Sequence, residues 1–197
     1  CNGTYQFFEV KQMIYTKNTK NALRLCFEAH KNQVDKSGMP YVFHPFHLAE
    51  QMKDETSTIV ALLHDVVEDT DTTMDDIQEM FGDKVAFLIC SETENKRKNL
   101  SAQSTWKIRK QETLDHLKTA SLDVKMITLG DKLSNIRSIY RDYNTIGDAL
   151  WQRFNQKDVT QQAWYYRSIV KLTERLSDTS AWLELKTLTE LVFGKGE

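Results

Sequence analysis

Apolar residues recur along this chain at intervals of three and four, the repeat of a helix that buries one face. No stretch alternates apolar and polar residues in the two-residue rhythm of a half-buried strand. Only 2 Pro and 7 Gly interrupt 197 residues, which favours long helices with few breaks. Residues 5–30 read as a first helix, with Phe8, Met13, Leu23, Cys26 and Phe27 among its apolar positions. Ser37-Gly38 and Pro40 punctuate a loop over 31–43. His44-Pro45 opens a second helix through Met52, with proline in the first turn, where its missing N–H is tolerated. A third helix spans Thr56 to Val67 and repeats Ile59, Leu62, Leu63 and Val66 on its buried side. Thr73 and Asp76 resemble a capping box for a short helix ending at Gly82, and another helix follows from Asp83 to Ser91. Residues 92–104 are polar and predict a mobile flap. Helices return over 105–120, with Trp106, Ile108 and Leu117, and over Asp123–Tyr140, with Ile127, Leu133, Ile136 and Ile139. Two or three more fill 146–193. The expected fold class is all-α.

A chain of this length can bury a core without staples. Residues 1–197 are therefore read as one domain, with its motifs between 30 and 140 and the helices of 146–193 packed on them. The 26 Lys and Arg against 28 Asp and Glu leave a formal charge of −2, which offers nucleic acid no general attraction. Phosphate binding must then come from a metal or a local basic patch. Cys1, Cys26 and Cys90 are odd in number and scattered, unlike a disulfide framework or a thiolate zinc site. They point to a reducing compartment, and a cytoplasmic location is expected. In that setting the sequon Asn2-Gly3-Thr4 reads as chance. No apolar run reaches the ~18 residues that cross a bilayer, so no membrane partner is expected.

The chemistry concentrates at His64-Asp65, directly after the apolar run Ile59-Val60-Ala61-Leu62-Leu63. A histidine and an aspartate on a buried helix are costly unless something binds both, and a metal ion takes neutral imidazole and carboxylate together. Glu68 lies one turn beyond His64, and Asp69 one turn beyond Asp65. His44 and Asp131, the latter between Leu129 and Leu133, are the other candidate ligands. Two imidazoles and two carboxylates suit Mn²⁺, Fe²⁺ or Zn²⁺. A metal beside a carboxylate pair suggests metal-assisted hydrolysis. Each residue taken singly has a plainer reading. His44 is then a polar helix start, Asp131 a partner of Lys132 or Arg137, and Glu68-Asp69 a solvated helix end. His30, His47 and His116 are read as structural or surface residues, with His47 one turn from His44. Lys96, Arg97 and Lys98, with Lys107, Arg109 and Lys110, form either a solvated face or a phosphate clamp that closes over the site. Trp164-Tyr165-Tyr166 reads as core.

Three stretches carry a likeness to a known family: Lys36-Ser37-Gly38-Met39-Pro40-Tyr41-Val42-Phe43-His44-Pro45, then His64-Asp65-Val66-Val67-Glu68-Asp69-Thr70, then Asp131-Lys132-Leu133-Ser134-Asn135-Ile136-Arg137. Over roughly residues 20–175 the chain resembles HD-domain phosphohydrolases, and within them the hydrolase domain of RelA/SpoT proteins. The likeness is nearest to the small stand-alone alarmone hydrolases of the metazoan SpoT-homologue type. The resemblance implies an HD-type helical bundle with a metal site at its centre, where His44, His64, Asp65 and Asp131 hold one Mn²⁺. It implies that Glu68 and Asp69 position and activate water, and that Lys36 and Asn135 lie near the nucleotide. The implied substrate is guanosine 3′,5′-bispyrophosphate (ppGpp), with the 3′-pyrophosphate removed whole. One departure stands out: Asp35 occupies the place where long family members carry an arginine against the base, which implies weaker reading of the base. Nothing after residue 175 is long enough for the synthetase half of those proteins, so the chain is expected to degrade alarmone. Two rivals remain: an HD nucleotidase acting on a 5′-monophosphate, a deoxynucleotide or NADPH, and a nucleotide-binding helical domain without turnover.

Overall fold

Short polar side chains set where the helices begin. The computed structural model describes residues 13–97 and 99–195. Cys1, the Asn2-Gly3-Thr4 sequon, Phe8 and Lys98 lie outside them. Helix α1 (Lys17–His30) starts at a reciprocal capping box between Thr16 and Thr19. Residues 13–16 are therefore not helical, and the helix expected from residue 5 is correspondingly shorter within the described residues. Helix α2 (Phe43–Ala49) is followed by α3 (Glu55–Leu63), capped by Asp54, then by the single turn α4 (Val66–Asp69). Thr73 and Asp76 form the expected capping box of α5 (Met74–Phe81), which ends at Gly82 with φ +85°, a conformation glycine adopts without strain. Helix α6 (Asp83–Glu92), α7 (Ala102–Thr119) and the long α8 (Leu122–Ile146) follow. A 3₁₀ segment (Gly147–Arg153) leads to α9 (Val159–Leu172) and α10 (Ser180–Phe193). Among the described residues the one extended pairing is an isolated bridge between Val34 and Pro40. The fold is all-α, as the periodicity predicts.

Two apolar clusters meet on α8. Its N-terminal half contributes Val124 and Ile127 to a cluster with α1, α2, α3, α5 and α6. Its C-terminal part contributes Leu129, Leu133, Ile136 and Ile139 to a second cluster with α7, α9 and α10. Asp131 sits where one cluster gives way to the other. Gly130, beside it, lets α2 and the residues after it approach: a Cβ there would collide with Leu48 Cδ1 and lie 3.3 Å from Met52 Cε. Gly130→Ala is therefore expected to destabilise, because overpacking of about 1–3 kcal/mol exceeds the helix-propensity gain of about 1 kcal/mol. The same displacement of α2 is expected to move His44 from Asp131. Thermal unfolding and a Mn²⁺ titration of the variant check both effects.

The predicted continuous helix Thr56–Val67 is interrupted. α3 ends at Leu63, His64 and Asp65 form the joint, and α4 begins at Val66. Successive side chains on a continuous helix diverge by about 100°. The break lets both polar groups turn to one point, with His64 Nε2 3.0 Å from Asp65 Oδ2.

Candidate metal centre and active site

Four side chains from three parts of the fold converge beneath α8. His44 comes from the first turn of α2, His64 and Asp65 from the α3–α4 joint, and Asp131 from α8. Donor atoms of His44, His64 and Asp131 all lie within 4.8 Å of one another. His44 Nε2 is 3.3 Å from His64 Nε2 and 3.2 Å from Asp131 Oδ1, while His64 Nε2 is 4.0 Å from the latter. Asp65 Oδ2 adds an oxygen 3.0 Å from His64 Nε2 and 3.9 Å from His44 Nε2. Two ligands each about 2.1 Å from one ion are roughly 3.0 Å apart at a right angle and roughly 4.2 Å apart in line. All five separations fall within that span.

The outer contacts aim the rings. His64 Nδ1 donates to the Ala61 carbonyl at 2.9 Å, which leaves Nε2 facing only acceptors. A cation is what satisfies such a nitrogen, so the donor set fits a divalent metal. His44 Nδ1 pairs with Ser134 Oγ at 3.0 Å. Asn135 Nδ2 donates to Asp131 Oδ1 at 2.7 Å, Lys132 donates to Asp131 Oδ2, and the Tyr41 hydroxyl donates to Asp65. Arg137, the other partner considered for Asp131, is instead paired with Glu184 of α10.

Burial disfavours a charged His64, but the Asp65 carboxylate, helped by Asp131, outweighs it and lifts the imidazole to about 10. Asp131 is likewise held well below the usual carboxylate range despite burial, by Lys132 and His44. In the metal-free protein the His64 ion pair stabilises the fold fully below about pH 6.5, the ordinary imidazole value. That contribution is lost as pH rises through about 10. Metal uptake at neutral pH is accordingly expected to expel about one proton from His64. Calorimetry in buffers of different ionisation enthalpy measures it, and no dependence on the buffer would contradict it.

Glu68 and Asp69 lie on α4, beside the ligands, and Lys96 joins them. Its Nζ is 3.0 Å from Glu68 Oε1 and also donates to Asp69. The Glu94 N–H points at Glu68 Oε2 from 3.4 Å. Burial raises the Glu68 carboxyl above its usual value, and Lys96 offsets part of that rise. The polar segment expected to be a flap is fastened here: Glu94 accepts from Arg109 at 2.6 Å and from Lys110 at 2.5 Å, and Arg97 pairs with Glu112 at 2.5 Å.

The centre opens into a cavity of about 710 Å³ along α8. Ser134, Asn135, Ser138 and Asp142 line it from one face of that helix, with Lys36, Lys110 and Lys132 around them. Lys36 holds its ammonium 4.2 Å above the Phe154 ring. Asp35 also borders the cavity, but its Oδ1 accepts the Ser37 N–H at 2.8 Å and the Met39 N–H at 2.9 Å, so its carboxylate fastens that turn. Ser37 in turn donates to Asp142. Thus Lys36 and Asn135 border the cavity, whereas Lys96 is bound to Glu68 and Asp69 on α4 and does not line it. Arg97 is turned to α7 and does not border the cavity, and Lys98 lies outside the described residues. Sequence reasoning missed Tyr41, Ser134 and Tyr165, whereas Lys110, named there as part of a solvated face or a phosphate clamp, borders the cavity. Tyr41 had one available signal, its place one turn before His44. His47 pairs with Glu50 at the rim, and His30 packs on Tyr41. Among the described residues no helix is long and apolar enough to cross a membrane.

The HD domain family model matches residues 22–158. The guanosine-3′,5′-bis(diphosphate) 3′-pyrophosphohydrolase MESH1 of Drosophila melanogaster is 32% identical over 158 residues, covering 77% of this chain and 79% of that protein. The guanosine-3′,5′-bis(diphosphate) 3′-pyrophosphohydrolase of Aquifex aeolicus is 32% identical over 133 residues, 64% of this chain but only 18% of that longer protein. A solved structure described as a metazoan ortholog of SpoT that hydrolyses ppGpp superposes with a TM-score of 0.73 at 24% identity, covering 93% of this chain and 100% of that one. That likeness speaks for the fold. With the HD domain model spanning well over half of its length, the chain belongs to the HD domain family.

Proposed function

We propose that this chain hydrolyses guanosine 3′,5′-bispyrophosphate-like nucleotides at the 3′ position and releases pyrophosphate. The observation that carries the reading is the donor set of His44, His64, Asp65 and Asp131 with Glu68 and Asp69 next to it in the chain, and with His44 also lining a cavity that Lys36, Lys110 and Lys132 border. The relatives named for this activity support it. The cavity follows α8 from Lys132 to Asp142, roughly 15 Å of helix, a length that suits a nucleotide with a polyphosphate arm.

When bound to His44, His64, Asp65 and Asp131, a divalent ion, Mn²⁺ before Fe²⁺ or Zn²⁺, supplies Lewis acidity and a lowered pKa for water. Glu68 and Asp69 receive the water proton and orient its oxygen towards the 3′ α-phosphorus. The bond from that phosphorus to the 3′-oxygen breaks, and the 3′-oxygen takes up a proton. Guanosine 5′-diphosphate and pyrophosphate then leave. Lys96 holds the two carboxylates together, and Lys36 faces the nucleotide from the opposite wall. Asn135 and Tyr41 keep Asp131 and Asp65 in position. The substrate is a small nucleotide, and neither nucleic acid nor membrane is invoked. Both apolar clusters share α8, which supports one domain whose C-terminal helices brace the hydrolase motifs. The unpaired thiols Cys26 and Cys90 favour the reducing cytoplasm. Turnover of ppGpp, pppGpp and NADPH with Mn²⁺, with products identified, tests the reading. Pyrophosphate from the first two supports it, whereas turnover of NADPH alone would replace it.

A further inference from the structure

Tyr165 is out of place for a core residue. It is only 3% exposed, yet its hydroxyl has no hydrogen-bond partner and it borders the cavity. An unsatisfied buried hydroxyl costs free energy unless a ligand completes it. Two cations of the cavity lie by the same ring: Lys110 Nζ is 5.1 Å and Lys132 Nζ 5.8 Å from its centroid. Trp106 meets it edge-on at 6.0 Å and closes one side. Lys132 ties this corner to the metal centre, because its ammonium also rests on Asp131. The other end of the cavity carries Asp35 and Asp142, which repel phosphate. Burial raises the Tyr165 phenol to about 12, although Lys132 pulls the other way, so it stays a donor at neutral pH.

We infer that Tyr165, Lys110 and Lys132 form a chamber for the distal phosphate of the group being removed. The chamber makes the site selective for a 3′-diphosphate over a 3′-monophosphate. This rests on the hydrolase reading above and adds the residues that select the length of the phosphate chain. The α-phosphate lies over the metal ligands and the β-phosphate reaches past Lys132. There the Tyr165 hydroxyl donates to it, and Lys110 and Lys132, whose ammonium groups also hold Glu94 and Asp131, each turn a further N–H towards it. After hydrolysis the same contacts hold pyrophosphate.

The test compares parent and Tyr165→Phe, which keeps the ring, its packing and its contacts with both lysines. A hydrogen bond to a charged group is worth about tenfold or more. The kcat/KM preference for guanosine 3′,5′-bispyrophosphate over guanosine 5′-diphosphate 3′-monophosphate should fall about tenfold in the variant. The inhibition constant of pyrophosphate should rise by a similar factor, while that of orthophosphate moves less. A merely structural tyrosine would lower turnover of both nucleotides alike and leave the preference intact, which overturns the inference. A second measurement stands apart from turnover: calorimetric titration of the Mn²⁺-loaded parent with pyrophosphate and with orthophosphate. Tighter binding of pyrophosphate by about tenfold supports the chamber, and equal binding overturns it. If the parent binds pyrophosphate selectively but turns over neither nucleotide, the hydrolase reading fails and the chamber stands.

Discussion

Asp131→Asn is expected to lose metal and activity together. The asparagine keeps the size of the side chain and an oxygen for the Asn135 donor, so the fold of α8 is preserved. It removes the charge that faces both imidazoles and that balances Lys132. Loss of a group that merely supports a ligand costs about 10- to 100-fold in metal affinity or activity, so loss of the ligand itself should exceed about 1,000-fold. The parent should gain about 2.7 kcal/mol of stability at a Mn²⁺ concentration 100 times its Kd, since the ion binds only the folded chain. The variant should gain almost nothing. Metal content after dialysis, and melting curves with and without Mn²⁺, read both effects. A variant that melts higher with Mn²⁺ to the same extent as the parent would remove Asp131 from the ligand set.

Glu68→Gln is expected to show the second large effect, and a different one. Glu68 is beside the ligands but bonded to Lys96 and to the Glu94 N–H. The variant should therefore bind Mn²⁺ nearly as the parent does. Its kcat should fall by roughly 10²–10⁴, the usual contribution of an acid–base group. KM should change less, because the glutamine still accepts from Lys96. Equal metal content with a depressed kcat separates this role from that of Asp131. A normal kcat would leave Asp69 to handle the proton alone.

Much of this was legible from residue order, for physical reasons. Helix ends marked by a polar cap, such as Thr73 with Asp76, fall where the local hydrogen bond dictates. The apolar repeat of Asp123–Tyr140 located α8, although the helix extends to Ile146 because no breaker intervenes before Gly147. The His64-Asp65 joint was misread as continuous helix. Periodicity reports burial, and both residues are indeed turned inward, but the break is imposed by their shared centre and by Tyr41 from another segment. Lys96 and Arg97 are neighbours in sequence with the same charge, yet one meets the α4 carboxylates and the other Glu112. Sequence spacing in a loop carries no such direction. Tyr165 was hidden for the opposite reason: an aromatic on an apolar helix face reads as core, and its unpaired hydroxyl is a fact of three-dimensional packing.

The most direct test of the central claim is hydrolysis of guanosine 3′,5′-bispyrophosphate by the Mn²⁺-loaded chain in water enriched in oxygen-18. Attack at the 3′ α-phosphorus predicts guanosine 5′-diphosphate and pyrophosphate in equal amounts, with one labelled oxygen in the pyrophosphate and none in the nucleotide. Orthophosphate as the released product, or label in the nucleotide, would contradict it.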